Sequence, residues 1–369
     1  MFESSNLVRQ KDLEELALNP IFEKFNEKKV LITGSTGLIG SEIVLALMCA
    51  NRIKNLNIKV VALARNIKKA EKIFELILSR KNFEIVIQDV VDEVKYDDEV
   101  DYVIHCASVT KSKEMVENPE RCLKVTIAGT KNILEFVRNK DISGFCYLSS
   151  IEVYGGLKSD YDVKEDIQLI ELDLNNPRNS YPQSKRLAEN LCIEYFREYN
   201  TPVKIARLTQ TFGAGIEKSE NRMFAQFAKN IVQKKDIILH TEGNSYKNYC
   251  YLTDAVLGIL IILINGKNGE IYNVANYDTG IAVKDLALRL CQKYSTSKLK
   301  IELNNKMGYN QDIKIKLNSD KLESLGWKAS IGLDEMFDRL IESLEVENVL
   351  EDKKASIWVV EIIIKFIEM

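Results

Sequence analysis

Tyr181 and Lys185 are four residues apart, a spacing that suits acid–base chemistry. On a helix, residues four apart share one face, so the ammonium group would lie beside the phenol. A neighbouring positive charge favours the phenolate and lowers the pKa of the phenol from its usual value of about 10. We therefore expect Tyr181 to exchange a proton with a substrate hydroxyl near neutral pH, with Lys185 tuning it.

Two serines, Ser149 and Ser150, follow an apolar run at residues 145–148 that predicts a strand. Ligands of open α/β sheets bind at the carboxyl ends of the strands, so a hydroxyl here can orient the reacting oxygen of a substrate. A Tyr-x-x-x-Lys spacing arises readily by chance. Its position downstream of a serine-ended strand and a glycine-rich turn favours the catalytic interpretation.

The glycine-rich turn contains Gly34, Gly37 and Gly40, between an apolar run at residues 30–32 and a predicted helix at residues 39–50. Glycines at this spacing let the backbone turn tightly and approach a pyrophosphate, which the helix N-terminus then binds. A glycine trio alone is a weak signal, and the alternative is a turn that binds no ligand. Its place between a strand and a helix favours a dinucleotide site.

The end of the second predicted strand, residues 60–63, lacks the acidic residue that often binds the ribose 2′-hydroxyl of NAD. Arg65 stands there instead and could hold a 2′-phosphate, which would favour NADP. The alternative is an arginine that stacks on adenine or lies in solvent, and both interpretations stay open. Asp89, after the third strand, is a candidate partner for the adenine edge.

These residues need a sheet that brings strand ends together. Predicted strands at residues 30–32, 60–63, 85–87, 102–104, 145–148 and 203–206 alternate with predicted helices at 39–50, 68–78, 121–138 and 180–199. The alternation predicts an α/β fold with a doubly wound parallel sheet of the Rossmann type. After residue 207 the pattern loosens, with helices predicted at 223–233, 254–264, 283–294 and 333–344, which favours a smaller C-terminal substrate-binding α/β domain.

The predicted division of the chain has four parts. Residues 1–27 form an N-terminal extension, 28–206 the dinucleotide-binding domain, 207–344 mainly the substrate-binding domain, and 345–369 an apolar tail. Some segments of the third part are expected to return to the sheet. The apolar runs at residues 357–364 are too short to span a bilayer. They are expected to form a docking helix, a strand in a dimer or an interfacial membrane anchor, and packing on this chain or on a partner is favoured because the basic face of an interfacial helix is absent.

The composition of the 369 residues is that of an ordinary globular protein, with 46% apolar and 28% charged residues. A net charge of −3 gives no global attraction to nucleic acid or anionic lipid. Seven cysteines without a Cys-x-x-Cys pair indicate a reducing compartment, and two histidines without metal-ligand spacing predict no metal site. We expect a cytoplasmic homodimer without a membrane span.

Three segments carry a resemblance to a known family: residues 34–40, residues 149–155 (Ser-Ser-Ile-Glu-Val-Tyr-Gly), and the stretch from Tyr181 to Lys185. They resemble the extended short-chain dehydrogenases that act on nucleotide sugars, over residues 28–344. The resemblance implies that Tyr181 removes a hydroxyl proton while a hydride passes from the sugar to the nicotinamide. It implies Lys185 as tuner and ribose contact, and Ser150 as hydrogen-bond partner of the substrate.

The interpretation assigns a larger set of residues to the cofactor, which is NAD or NADP. The cofactor-binding set is Gly34, Thr36, Gly37, Leu38, Ile39, Gly40, Arg65, Asp89, Val90, Ala107 and Lys185. The catalytic set is Tyr181, Lys185, Ser150 and Glu152, and the substrate-binding set is Ser108, Ser150, Arg178, Gln210 and Lys247.

The local motifs are most similar to those of UDP-glucuronate decarboxylases. The similarity lies at Glu152 and in the segment that contains Arg178, Tyr181 and Lys185. Arg178 could bind a substrate carboxylate bidentately, or it could be a surface arginine that caps a loop. Ile151 stands where 4,6-dehydratases have an aspartic acid, which disfavours dehydration. We therefore expect decarboxylation or epimerisation through a 4-keto intermediate.

The sequence departs from the family pattern at three positions. Gln210 stands where the family has an asparagine, Lys247 where it has an arginine for the nucleotide diphosphate, and Thr126 where it has another asparagine. These changes leave the sugar and the nucleotide open. Two alternatives also stay open: an NADPH-dependent reductase of a nucleotide-linked keto sugar, and a dinucleotide sensor without catalysis.

Overall fold

The computed structural model describes residues 2–156, 162–167, 169–295, 297–304 and 313–349. The prediction for the apolar tail beyond residue 349 therefore lies outside the described residues. No helix within these ranges has both the length and the hydropathy that crossing a bilayer requires.

Seven parallel strands form the main sheet, and the first strand in the chain lies in its interior, next to the central one. Its strands are β1 (Lys29–Thr33), β2 (Lys59–Ala64), β3 (Phe83–Ile87), β4 (Tyr102–His105), β5 (Gly144–Ser150), β7 (Val203–Leu208) and β11 (Ile271–Val274). Their order across the sheet is β11-β7-β5-β4-β1-β2-β3. The chain runs from β1 towards one edge and then returns to the other side, so the ends of β1 and β4 flank the crevice where ligands bind in such sheets.

Helices cover both faces of this sheet because its strands are apolar along nearly their whole length. The helices of the chain are α1 (Leu7–Ala17), α2 (Leu38–Lys54), α3 (Ile67–Ile73), α4 (Ser112–Glu117), α5 (Pro119–Arg138), α6 (Ser180–Tyr199), α7 (Met223–Val232), α8 (Leu252–Asn265), α9 (Val283–Lys293) and α10 (Asp320–Glu323). Residues 333–349 form a further helix. Helices α2 and α8 pack in one apolar cluster, and α5 and α6 in the other. The predicted doubly wound parallel α/β fold is confirmed.

The remaining strands build the smaller part of the molecule. They are β6 (Asp162–Val163), β8 (Gln210–Phe212), β9 (Ile237–Leu239), β10 (Tyr246–Tyr251), β12 (Asn276–Ala282), β13 (Leu299–Ile301) and β14 (Lys314–Leu317). Strand β10 pairs with β8, β12 and β14. Helices α7 and α9 and the 333–349 helix close an apolar core over these strands.

The second helix of the main sheet is shorter than the sequence predicts. Helix α3 begins after Asn66, whose side chain accepts a hydrogen bond from the Lys69 backbone N–H, and it ends at Ile73. The prediction extends it to residue 78. The chain instead turns at residues 75–79 so that Phe74 and Ile77 are both fully buried.

The N-terminal residues ahead of β1 pack into the main core. Leu13, Phe22 and Phe25 are fully buried in the cluster that contains α2 and α8. Burying aromatic and aliphatic side chains of this size contributes about 1.5–3 kcal/mol each before conformational entropy is counted. The apolar side chains of the segment thus join it to the sheet domain.

Candidate active site

The turn after β1 is shaped by Gly34, which lies in the left-handed region at φ 61°. A Cβ atom there would be 2.7 Å from the Cα of Ala107, which follows β4. The backbone after β1 and the backbone after β4 can therefore approach only because residue 34 has no side chain. This places Gly34 and Ala107, both predicted cofactor residues, side by side where the first and fourth strands end.

The first turn of α2 offers free backbone donors towards the same crevice. Gly37 occupies the N-cap position and makes no side-chain capping bond, so the first N–H groups of α2 are available to an anion. A Cβ at Gly40 would lie 2.4 Å from the carbonyl oxygen of Gly34, whereas one at Gly37 would lie 3.2 Å from it. Gly40 is required by packing, and Gly37 leaves room on its exposed side. These residues fit the pyrophosphate of a dinucleotide.

The adenosine side of the crevice contains the remaining predicted cofactor residues. Arg65 is exposed immediately after β2. The side chain of Asp89 accepts a hydrogen bond from the backbone N–H of Val91, 3.3 Å away, after β3. Val90 is buried beside Gly129 of α5, where a Cβ would be 2.8 Å from Val90 Cγ2. Arg65 can reach either a 2′-phosphate or solvent from this position.

The predicted acid–base residues meet at the carboxyl end of β5. Ser150 ends that strand, and Tyr181 and Lys185 lie one turn apart at the start of α6. Tyr181 is 7% exposed and Lys185 3% exposed. The ammonium nitrogen of Lys185 is 5.8 Å from the Tyr181 ring centroid and donates a 2.6 Å hydrogen bond to the Leu148 carbonyl.

The pKa of Tyr181 differs from the value that the sequence predicts. Burial raises the pKa of Tyr181 above its ordinary range, and the Glu152 carboxylate raises it further, whereas the Ser150 hydroxyl and the Arg178 guanidinium lower it. Lys185 is buried on the same helix face and its own pKa is lowered to about 8, because burial outweighs the attraction of Glu189. The phenol is therefore a proton donor in this environment, and its use as a base needs further stabilisation of the phenolate.

Tyr147 of β5 is a neighbour of Lys185 that the sequence analysis does not identify. Its ring centroid lies 4.7 Å from the Lys185 ammonium nitrogen, within the range of a cation–π contact. Tyr147 and Ser149 are two residues apart on a strand, so they point to the same face. That alternation is the signal that could have identified it.

Glu152 and Arg178 form an ion pair in the same pocket. The Arg178 Nη2 donates a 2.7 Å hydrogen bond to Glu152 Oε1, and the Arg178 side chain is 11% exposed. Its guanidinium carbon lies 5.7 Å from the Tyr181 ring centroid. The second terminal nitrogen, Nη1, is buried and has no hydrogen-bond partner among the residues that the structure describes.

Lys247 of β10 belongs to the same charged group. Burial lowers the pKa of Lys247, with Glu152 opposing and Arg178 reinforcing that shift. Gln210 begins β8 opposite Tyr249 of β10, so it lies at the strand next to that of Lys247. Lys247, a predicted substrate-binding residue, is therefore close enough to Glu152 and Arg178 for their charges to act on its pKa.

The buried hydroxyls that have no hydrogen-bond partner within the described part of the chain include those of Ser108, Thr126 and Ser149. Buried polar groups are normally satisfied, so unsatisfied ones indicate places where a ligand or water is bound. Ser108 follows the backbone that faces Gly34. It is therefore placed where a substrate next to the cofactor would contact it.

Comparison with known proteins agrees with this geometry. The model of the NAD-dependent epimerase/dehydratase family matches residues 30–275. The chain is 26% identical to human dTDP-D-glucose 4,6-dehydratase over 328 residues, which is 85% of this chain and 89% of that protein. It is 27% identical to UDP-glucuronic acid decarboxylase 1 of Xenopus tropicalis over 253 residues, 68% of this chain and 57% of that protein.

Solved structures share the fold. The epimerase Mth375 of Methanothermobacter thermautotrophicus superposes with a TM-score of 0.74 at 22% identity, covering 90% of this chain and 96% of that one. The UDP-glucuronic acid 4-epimerase of Bacillus cereus, in complex with UDP-glucuronic acid and NAD, superposes with a TM-score of 0.72 at 21% identity, covering 87% and 99%.

Proposed function

This chain belongs to the NAD-dependent epimerase/dehydratase family, and from that premise we propose that it oxidises a nucleotide-linked sugar at C4 and then decarboxylates or epimerises the 4-keto sugar. The observation that carries the proposal is the convergence of Ser150, Tyr181 and Lys185 beside the glycine turn of a dinucleotide crevice. A sensor without catalysis has no need for these three groups together.

Each of the three residues has its own role in the proposed reaction. Ser150 donates a hydrogen bond to the reacting sugar oxygen, and Tyr181 exchanges the proton of that hydroxyl. Lys185, whose ammonium nitrogen lies 5.8 Å from the Tyr181 ring centroid, supplies a positive charge that favours the phenolate. NAD bound in the crevice would accept the C4 hydride and return it, so no net oxidation occurs. The free N–H groups at the start of α2 would hold its pyrophosphate.

The finer substrate assignment is a uronic acid, and the buried Nη1 of Arg178 supports it. A buried donor without an acceptor costs about 1–3 kcal/mol, so a ligand that supplies an acceptor is favoured at this position. A carboxylate at C6 would bind Nη1 while Nη2 stays on Glu152. Once C4 is a ketone, the C5–C6 bond can break, because its electron pair moves to the ketone as CO2 leaves and C5 then takes up a proton.

Dehydration is disfavoured by the side chain at residue 151. Ile151 lies in the turn after β5 and packs against an apolar cluster that includes Val153 and Val163. It has no proton to give to a leaving C6 hydroxyl. Glu152 is the neighbouring acid, and its carboxylate is paired with Arg178.

The test offers the purified protein UDP-glucuronate, UDP-glucose and dTDP-glucose with NAD and identifies the products by mass spectrometry. Loss of CO2 identifies a decarboxylase, and an unchanged mass with altered retention identifies an epimerase. A product lighter by one water would contradict the role of Ile151. If none of the three sugars changes, and NADPH reduces a nucleotide-linked keto sugar instead, the reductase alternative replaces this proposal.

Arg178→Lys separates carboxylate binding from general catalysis. Lysine keeps the charge but loses the planar fork that can bind Glu152 and a substrate at once. We expect the KM for UDP-glucuronate to rise about tenfold or more, with a much smaller change for UDP-glucose oxidation. An equal change for both sugars would place Arg178 in a structural role.

We extend the proposal to the cofactor preference, assembly and compartment. Arg65 would let the site accept NADP as well as NAD. Measuring the binding of both cofactors to wild type and to Arg65→Ala tests this role. The chain would act as a homodimer in the cytoplasm; exposed Leu123 on α5 and Leu187 on α6 offer apolar contacts for a second copy. Light scattering of the purified protein measures its oligomeric state, and fractionation of the cells that produce it tests the cytoplasmic location.

A further inference from the structure

The N-terminal segment, residues 2–25, precedes the region that the family model matches, which begins at residue 30. Asn6 caps helix α1, and Arg9 and Asp12 follow at intervals of three residues. Residues three apart on a helix are neighbours, so the three side chains form one polar row. This row contacts two elements that border the crevice: the first turns of α2 and the loop at residues 213–216 after β8.

Arg9 connects α1 to both of these elements. Its Nε donates a 2.8 Å hydrogen bond to Glu42 Oε2, and its Nη2 donates one of 3.0 Å to the Ser41 hydroxyl, both on α2. Ser41 in turn bonds the carbonyl of Leu38, the first residue of that helix. On the other side, a Cβ at Gly215 would be 2.6 Å from Arg9 Cδ, so the loop backbone lies directly against this arginine.

Asp12 reaches the same loop through Tyr251. The Tyr251 hydroxyl donates a 2.5 Å hydrogen bond to Asp12 and accepts one of 3.3 Å from the Ala214 backbone N–H. Arg339, from the 333–349 helix, pairs with the other carboxylate oxygen of Asp12. Asp12 is almost fully buried, so the chain Asp12–Tyr251–Ala214 is screened from solvent and geometrically fixed.

Asn6 is linked to the loop at residues 213–216 through hydrogen bonds with Ser343. Its amide donates hydrogen bonds of 2.8 Å to the Ser343 hydroxyl and 3.0 Å to the Ser343 carbonyl. The same hydroxyl accepts a 3.2 Å hydrogen bond from the Gly215 backbone N–H. Two successive loop N–H groups, at residues 214 and 215, are thus satisfied through side chains that the N-terminal helix holds.

The loop matters because it directly continues β8, the strand that begins with the candidate substrate residue Gln210. Phe212 at the end of β8 lies in the apolar cluster of the smaller part of the molecule, and Leu38 from the start of α2 packs on that cluster. A shift of the loop against α2 would therefore move the substrate wall of the crevice relative to the helix N-terminus proposed to hold the pyrophosphate.

We propose that Asn6, Arg9 and Asp12 are positioning residues for ligand binding: they hold the 213–216 loop and the N-terminus of α2 in register across the crevice. The inference rests on the proposed function for its substrate readout and on the dinucleotide crevice for its cofactor readout. It gives the N-terminal segment a role in affinity, whereas a segment that merely adds buried surface would affect stability alone.

The test removes the Arg9–Glu42 pair as a unit, because removing Arg9 alone would leave a buried carboxylate without a partner. The double variant Arg9→Met, Glu42→Gln is compared with wild type. We expect the Kd for NAD and the KM for the nucleotide sugar each to rise about tenfold, while kcat changes less than about threefold. Arg9→Lys with Glu42 unchanged should recover much of the affinity, because the charge pair is kept.

The matched control is Glu3→Gln. Glu3 is also a buried N-terminal carboxylate, and it pairs with Arg52 near the C-terminal end of α2 and with Arg80, at 2.9 and 2.8 Å. This variant should lower the melting temperature by a similar amount and leave Kd and KM at the wild-type values. If both variants changed affinity only in proportion to stability, the segment would be structural and the inference wrong.

A second variant covers the case in which the double variant does not fold. Tyr251→Phe removes only the hydroxyl that joins Asp12 to the Ala214 N–H. It should raise the KM for the sugar more than the Kd for NAD, because it acts on the loop and not on α2. Unchanged values in this folded variant would overturn the inference. For the Arg9→Met, Glu42→Gln double variant the Kd for NAD is measured by calorimetry without turnover, so that comparison remains decisive even if no offered sugar reacts.

Discussion

Tyr181 is a buried phenol between opposing charges. The Glu152 carboxylate raises its pKa, and the Arg178 guanidinium lowers it. Burial is the largest cause of the raised pKa of Tyr181, and Glu152 and Arg178 act on it from a single ion pair. A substrate that drew Arg178 towards its own carboxylate would alter this balance, which links substrate charge to the acidity of the phenol.

Removing the phenol oxygen should separate chemistry from binding. We expect Tyr181→Phe to lower kcat by about 100-fold to 10,000-fold, the usual range for losing a general acid or base. The Kd for NAD should stay within about twofold, because the ring and its packing are kept. Stopped-flow absorbance of NADH formation and calorimetry measure the two quantities. Near-normal turnover would show that another group transfers the proton.

The charge of Lys185 should set the alkaline limit of activity. Burial lowers the pKa of Lys185 to about 8, so the ammonium is fully charged below about pH 7 and neutral above about pH 9. The positive charge that supports the phenolate is therefore lost as the pH rises through 8. We expect kcat/KM to fall on the alkaline side with a midpoint near 8, and Lys185→Arg to move that limb upwards, because arginine keeps its proton.

At the scale of elements, the glycines of the turn between β1 and α2 differ in role: two are required by backbone packing, and one leaves space for a ligand. Gly34 and Gly40 face backbone at distances that exclude a Cβ, whereas Gly37 is exposed and an added Cβ meets only the Gly34 carbonyl at 3.2 Å. Substitutions at Gly34 or Gly40 should therefore disturb the turn itself. A substitution at Gly37 should leave the fold and act on the ligand.

We expect Gly37→Ala to weaken NAD binding about tenfold or more with a melting temperature within a few degrees of wild type. The methyl group would stand where the pyrophosphate must approach the start of α2. Gly332→Ala is the control, because a Cβ there meets nothing within 4 Å. Calorimetry with NAD compares the two. Unchanged affinity of the Gly37 variant would place the pyrophosphate elsewhere.

The elements were predictable from sequence where one physical signal dominates. Strongly apolar strands and a clear 3.6-residue period located β5 and α6, and with them the positions of Ser150, Tyr181 and Lys185. Contacts between distant segments carry no such signal. The Arg178–Glu152 pair spans 26 residues and the Asn6–Ser343 bond spans 337. The raised pKa of Tyr181 likewise follows from burial by the whole fold, which a spacing of four residues does not reveal.

At the scale of the whole molecule, the N-terminal segment makes the free energy of unfolding depend on pH in the acidic range. Hydrogen bonds and charge from Arg52, Gln10 and Arg80 outweigh burial and lower the pKa of Glu3 from 4.5 to about 2. Because the folded-state pKa is lowered, the contribution is present above about pH 4.5 and is lost as the pH falls towards 2. The shift corresponds to about 3 kcal/mol.

We expect Glu3→Gln to be less stable than wild type at pH 7 by up to about this amount, with the difference shrinking between pH 4.5 and 2. Urea unfolding of both proteins at several pH values measures it. A difference that stayed constant over this range would mean that the Glu3 side chain contributes by packing rather than by its charge.

The Asn6–Ser343 bond joins the beginning of the chain to one of its last described helices, and this has a consequence during synthesis. A ribosome releases the N-terminus first, so α1 can pack on α2 early, while the loop at 214–215 waits for Ser343 to emerge. Strand β11, at residues 271–274, completes the edge of the main sheet at an intermediate point. A nascent chain halted before residue 343 would thus hold a complete main sheet and a loop without its Ser343 contact, and its affinity for NAD would reach the full value only in the last stage of translation.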